Sequence, residues 1–264
     1  MGDFIRENIL PLFSLVFPLV MVSQFLISIV TKLFVNPKFK LYPVGPMEIG
    51  FNRLGPSLTL FGTLQILRKD AFITRMNVIV RHTTGKLERS FEWRAFKSYT
   101  FGLHADRQNI QLEPVAPFLL KAEAPHKYNI IFVDDSFARK GTRQADAIVD
   151  AWEKFQLTHP LAAGASPSSP NQLEVNDIET FLQQPPIQEI VKNWHQNVYW
   201  QAGNYQLEIQ IYHTTKKASS FTYTFTLTDD EVDLLHDNVD SLLLTLMGQE
   251  ARYKKVYVPY EEIT

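Results

Sequence analysis

The sequence predicts an all-β fold with added helices: a single N-terminal transmembrane helix, then an antiparallel β-sandwich with a helical insertion. Three observations carry that expectation. Residues 9–31, which begin ILPLFSLVFPLVMVSQFLISIV, contain no charged side chain. From residue 47 onward, short runs alternate apolar and polar residues with a period of two, as half-buried strands do. Around 143–196, and again from 228, apolar residues recur at three- and four-residue spacing, as helices require.

The apolar run is long enough to span a bilayer, because about 20 residues cross about 30 Å of hydrocarbon. An export signal fits less well. The start carries Asp3, Arg6 and Glu7, the run exceeds the ~7–15 residues of a signal core, and no small-x-small exit follows. A core helix apolar on all sides for so many turns is the other alternative. The expected span leaves 1–8 as a short tail and 32–46 as a juxtamembrane segment. Lys32, Lys38 and Lys40 follow the span, whereas Arg6 alone precedes it. That bias places the N-terminus outside and the C-terminal domain in the cytoplasm. Gln24 carries an amide that its own helix satisfies poorly, and Pro18 removes a backbone donor. Together they mark the expected contact with another membrane helix.

Residues 47–264 make up the expected sandwich. Strands are expected at 47–52, 57–67, 72–82 and 87–96, separated by the turn stretches RLGP, RKDA and TTGK, then at 109–113, 118–122 and 128–135. Short strands at this spacing favour antiparallel pairing over a parallel α/β sheet. A helix over 143–155 brings Ile148, Trp152 and Phe155 to one face, and the Pro- and Ser-rich stretch 158–172 is a linker. A helix capped by Asn176, with Glu179 three positions on, runs to Pro185. Another over 186–196 lines up Ile187, Ile190, Val191 and Trp194.

Residues 197–215 read as two strands around Ala202-Gly203-Asn204, and 220–228 as one more. Thr228 and Glu231 then form a capping box for a helix that Gly248 ends, with Val232, Leu235, Val239, Leu242, Leu243 and Leu246 on its core face. One discontinuous sandwich, interrupted by an insertion at 137–195, accommodates these elements. Two domains divided at the 158–172 linker are the alternative.

The stretch AGNYQLEIQI resembles a strand common in immunoglobulin-like and fibronectin-like modules: a Gly-x-Tyr turn followed by alternating apolar residues. The resemblance covers about ten residues and implies an immunoglobulin-like sandwich, with Tyr205 in the structural role of a tyrosine corner. The cysteine pair of antibody domains has no counterpart, since the chain has no cysteine.

The absence of cysteine removes disulfides, thiolate nucleophiles and iron–sulfur ligation from consideration. The seven histidines show no metal-binding spacing, and no phosphate loop or nucleophile elbow is present. Neither catalytic residues nor a cofactor or metal is expected. His104 and Asp106 share a loop without a third partner. A formal net charge of −2 supplies no global field for nucleic acid.

One segment, RSFEWRAFKSYTFGLHADR (89–107), interleaves cations with aromatic rings. It suits backbone phosphates with stacked bases and equally a lipid interface, headgroups being the nearer partner for an anchored domain. The other reading is a strand with Phe91, Trp93 and Phe96 inward. The candidate binding surface is Arg89, Arg94, Lys97, Tyr99, His104 and Arg107. The expected function is a membrane-anchored binding, scaffold or assembly subunit. Its expected partners are membrane lipid and other membrane or cytoplasmic proteins, with homo-oligomerisation left open and nucleic acid disfavoured. A membrane-bound enzyme with a dispersed site and a membrane-coupled nucleic-acid or nucleotide sensor are the alternatives.

Overall fold

The structure, a computed structural model, describes residues 20–25, 36–101, 108–158, 175–213, 216–249 and 253–263. The twelve strands among the described residues belong to one antiparallel sheet. In chain order they are β1 (Lys38–Pro43), β2 (Met47–Asn52), β3 (Gly55–Leu67), β4 (Ala71–His82), β5 (Glu88–Phe101), β6 (Gln108–Pro114), β7 (Phe118–Leu120), β8 (Pro125–Asp134), β9 (Gly203–His213), β10 (Lys216–Leu227), β11 (Val256–Val258) and β12 (Glu261–Glu262). The helices are α1 (Asp135–Thr158), α2 (Val175–Leu182), α3 (Pro185–Asn197) and α4 (Asp229–Leu246).

The strand order is β11-β2-β3-β8-β5-β4-β9-β10-β12, with β1 on β3, β6 on β5 and β7 on β4. The first and last members of that order are neighbours in the chain, separated only by Pro259 and Tyr260. The C-terminal segment therefore straps the β2 edge of a half-barrel to its β10 edge. β11 pairs Tyr257 with Glu48, and β12 pairs Glu262 with Tyr223.

The core is the inner face of this sheet. Cross-strand rows such as Leu58–Phe132–Trp93 and Val80–Leu207–Tyr223 are buried on it. Tyr205 and Phe225 stack there at 4.9 Å. The Tyr205 hydroxyl donates to the Gln201 carbonyl at 2.7 Å and accepts the Gln201 amide at 2.8 Å. Helix α1 begins where Asp134 accepts the Ser136 amide at 3.0 Å. Its Phe137 ring meets Phe51 of β2 at 5.8 Å. Helix α4 is capped by Thr228 and Glu231, whose backbone and side chains bond reciprocally.

Three sequence expectations are corrected here. The two stacked sheets of a sandwich are replaced by a single curled sheet. Alternation specifies only that one face is buried; it does not say whether a second sheet or the curl of the first buries it. Long strands of 13, 12 and 14 residues (β3, β4 and β5) allow the twisted sheet to wrap its own inner face.

The expected transmembrane helix at 9–31 is the second correction. Among the described residues no helix is long and apolar enough to cross a membrane. Of that run only 20–25 is described. It is helical and carries Gln24, exposed, and Ser23, whose hydroxyl donates to the Val20 carbonyl at 2.8 Å. Pro18 and the rest of the run lie outside the described residues. Apolar length shows that a helix would be tolerated in lipid, not that one forms. The single-pass topology, N-terminus outside and C-terminal domain cytoplasmic, falls with it, because orientation was argued from that span alone.

The third correction concerns 197–215. Only β9 forms. Val198 and Trp200 are buried without a ladder, Trp200 packing between Phe91 and Tyr205 at 6.1 and 5.8 Å. In addition, residues 38–43 of the expected juxtamembrane segment form β1. There Phe39 and Leu41 point into the core while Lys38 and Lys40 stay exposed.

Candidate functional site: a basic groove along α1

The first three turns of α1 carry Arg139, Lys140 and Arg143; Arg143 stands four residues from Arg139 and three from Lys140, so it neighbours both on one side of the helix. They line an open groove of about 510 Å³ against Ile190 of α3, and Arg139 and Arg143 are shared with an adjoining hollow that contains Leu54, Arg94 and Thr142. Gln144 ties the groove floor to α3, accepting from Trp194 Nε1 at 2.9 Å and from Asn193 Nδ2 at 3.1 Å.

Charge is unevenly matched in the groove. Arg94 of β5 donates to Asp135 at 2.7 Å, and Arg139 approaches the other oxygen of the same carboxylate at only 3.8 Å, with its side chain 82% exposed. Lys140 donates to the neutral Asn193 at 2.7 Å. Arg143 is exposed and has no hydrogen-bond or ion-pair partner among the described residues. Of the four cations that line the groove and its adjoining hollow, two, Arg94 and Arg139, approach a carboxylate, and it is the same one, Asp135. Asp146, further along α1, is paired with Arg53. Asp135 and Ser136 open the helix, so its positive dipole end adds to the same field.

The structure scatters the sequence-derived surface. Arg94 reaches the groove. Arg89 lies over the Tyr199 ring at 4.7 Å instead. Burial pushes the Tyr199 phenol well up, the Asp134 carboxylate adds to that rise, and the Arg89 guanidinium opposes it. Lys97 is not a surface residue: it is 4% exposed and donates to both oxygens of Glu48, at 2.8 and 3.2 Å. Lys255 approaches the same carboxylate at 3.2 Å. Tyr99 lies on β5, but its side chain is outside the described set, as are His104 and Arg107.

A β-bulge between Trp93 and Ala95 explains the scatter. Strict alternation from Arg89 would put Phe91, Trp93, Ala95 and Lys97 on one face. The extra residue, Arg94, reverses the phase, so Phe96 follows Trp93 inward and Lys97 turns to the opposite face, where Glu48 lies.

Arg139 and Lys140 escape the sequence reading because the expected helix starts at Arg143, beyond Gly141, whereas α1 starts at Asp135. Gly141 is in the helix for a packing reason: a Cβ there would overlap the Phe137 ring. The available signal was the i, i+4 spacing of Arg139 and Arg143.

Compared with models of protein families, with curated proteins and with solved structures, the chain has no match.

Proposed function

We propose that this protein is a binding or assembly subunit whose α1 groove receives an acidic segment of a partner protein. One observation carries the reading: four cationic side chains, three of them arginines, line the groove and its adjoining hollow, where Asp135 is the one acidic lining residue, and Arg143 is unpaired among the described residues. Guanidinium groups present a planar fork that matches carboxylates bidentately. A groove of surplus arginines on a rigid helix steers and orients an acidic chain more than it adds raw affinity. Among the described residues that line the groove there is no histidine, and the one hydroxyl, that of Ser136, donates to the Asp134 carboxylate at the start of the helix. The walls are α1 and α3, which hold their side chains in place.

The test is fluorescence anisotropy of a labelled glutamate-rich peptide, with a lysine-rich peptide of equal length as control. The full chain should bind only the acidic peptide, and more weakly as salt rises. The R139E/R143E variant should lose about tenfold or more in affinity, given roughly 0.5–1 kcal/mol per rim charge and a larger effect on reversal. Equal binding by wild type and variant, or binding of both peptides alike, would overturn the reading. A preference for a phosphorylated oligonucleotide over the acidic peptide would transfer the groove to the nucleic-acid alternative.

A further inference from the structure

Three phenol hydroxyls are buried inside the half-barrel without a protein hydrogen-bond partner among the described residues: those of Tyr128 on β8, Tyr223 on β10 and Tyr260 in the C-terminal strap. Tyr128 and Tyr223 are 2% and 1% exposed. The three are neighbours. The Tyr223 and Tyr260 rings meet edge to face at 5.2 Å, and Tyr260 and Tyr223 both act on the Tyr128 phenol, adding to the upward push of burial.

Tyr128 cannot withdraw its hydroxyl. Its cross-strand partner on β3 is Gly62, and a Cβ at that position would overlap both the Tyr128 hydroxyl and the Tyr42 carbonyl. The ring therefore lies directly on the glycine. Tyr260 comes from the strap, at the point where it crosses from β11 to β12.

Each phenol offers one donor and two acceptor positions. A buried hydroxyl that bonds nothing is unfavourable, and phenylalanine would fill nearly the same volume without that penalty. Three such hydroxyls, brought together from a central strand, an edge strand and the closing strap, point to something they share. Its chemistry is constrained. Burial holds all three phenols in the neutral form, and the Glu262 carboxylate beside Tyr223 opposes any added negative charge. That carboxylate makes an anion the less favourable guest. A small neutral molecule that both donates and accepts fits phenols crowded this closely.

We propose that Tyr128, Tyr223 and Tyr260 build an internal water site at the seam of the half-barrel, joining the body of the sheet to its C-terminal strap by bridging hydrogen bonds.

Substitution by phenylalanine tests the sign of the effect on the full chain. If the hydroxyls bridge through water, Y128F, Y223F and Y260F each lower the folded-to-unfolded ratio, by about two- to tenfold. The Y223F/Y260F double variant then loses less than the product of the singles, because both hydroxyls serve one bridge. If the hydroxyls bond nothing, each variant is as stable as wild type or more so, and that result overturns the proposal. Magnetic cross-relaxation between the tyrosine protons and a long-lived water, measured on the unaltered protein, gives an independent reading. Signals at Tyr128 and Tyr223 are expected, and their absence would equally overturn the site.

Discussion

Asn238 holds the backbone of Lys254 at both ends of its amide: Nδ2 donates to the Lys254 carbonyl at 2.7 Å, and Oδ1 accepts the Lys254 amide at 2.7 Å. Asn238 is fully buried in α4, so these bonds fasten the start of the strap to the helix that packs on β2. An N238A substitution removes both and leaves the Lys254 backbone groups without their protein partner. We expect a loss of about 2–4 kcal/mol in chemical denaturation. Amide exchange should accelerate first at 256–262. An unchanged denaturation midpoint would show that the strap is held elsewhere.

The Glu48–Lys97 pair predicts an asymmetry. Removing Lys97 leaves Glu48 with Lys255 at 3.2 Å and with the Thr59 hydroxyl. Removing the carboxylate leaves Lys97 with a buried ammonium beside a second cation. E48Q should therefore cost more than K97M, in the range of about 3–5 kcal/mol expected when one partner of a buried pair is lost. The E48Q/K97M double variant should recover part of that loss. Equal losses in the two single variants would contradict the geometry.

His126 predicts a pH effect. Burial beside Phe118, whose ring stacks on it at 4.9 Å, lowers the His126 pKa below its ordinary 6.5. The unfolded chain therefore binds more protons than the native state once pH falls below 6.5. The contribution is complete above the unfolded pKa and is lost as pH drops through the lower folded value. An H126F variant should show a flatter stability profile than wild type between about pH 7.5 and about pH 5. Parallel profiles would assign the acid dependence to other groups.

Gly141 sets helix propensity against packing. Replacing a mid-helix glycine by alanine should stabilise an exposed helix by about 1 kcal/mol. Here the added methyl overlaps Phe137, whose ring is also pressed against Gly55 on its other side. G141A should therefore destabilise, by about 1–3 kcal/mol, and G141A/F137L should recover part of the loss. A stabilised G141A variant would mean that the ring moves freely.

Much of the local structure was legible in residue order. The alternation of Tyr205, Leu207, Ile209 and Ile211 against Gln206, Glu208 and Gln210 yields the β9 core face, and the same holds for Phe221 to Leu227 on β10. The candidate site was legible only in part. Arg94 is among the residues the sequence singles out, but Arg139 and Lys140 fall before the expected helix at 143–155, and Lys97 reads as a surface cation. The bulge at Arg94, which turns Lys97 to the face where Glu48 lies, leaves no mark in the hydrophobic pattern.

What the sequence determined by itself is what short-range periodicity carries: which residues of a strand point inward, and where α4 is capped by Thr228 and Glu231. Those signals act over two to four residues and need no knowledge of the rest of the chain. Tertiary structure alone decided that the strands form one sheet, that Pro259 and Tyr260 close its two edges, and that Arg94, Arg139 and Arg143 share a groove. Each of these depends on contacts between segments far apart in the chain, where many pairings satisfy the same local pattern and only the packed whole selects one.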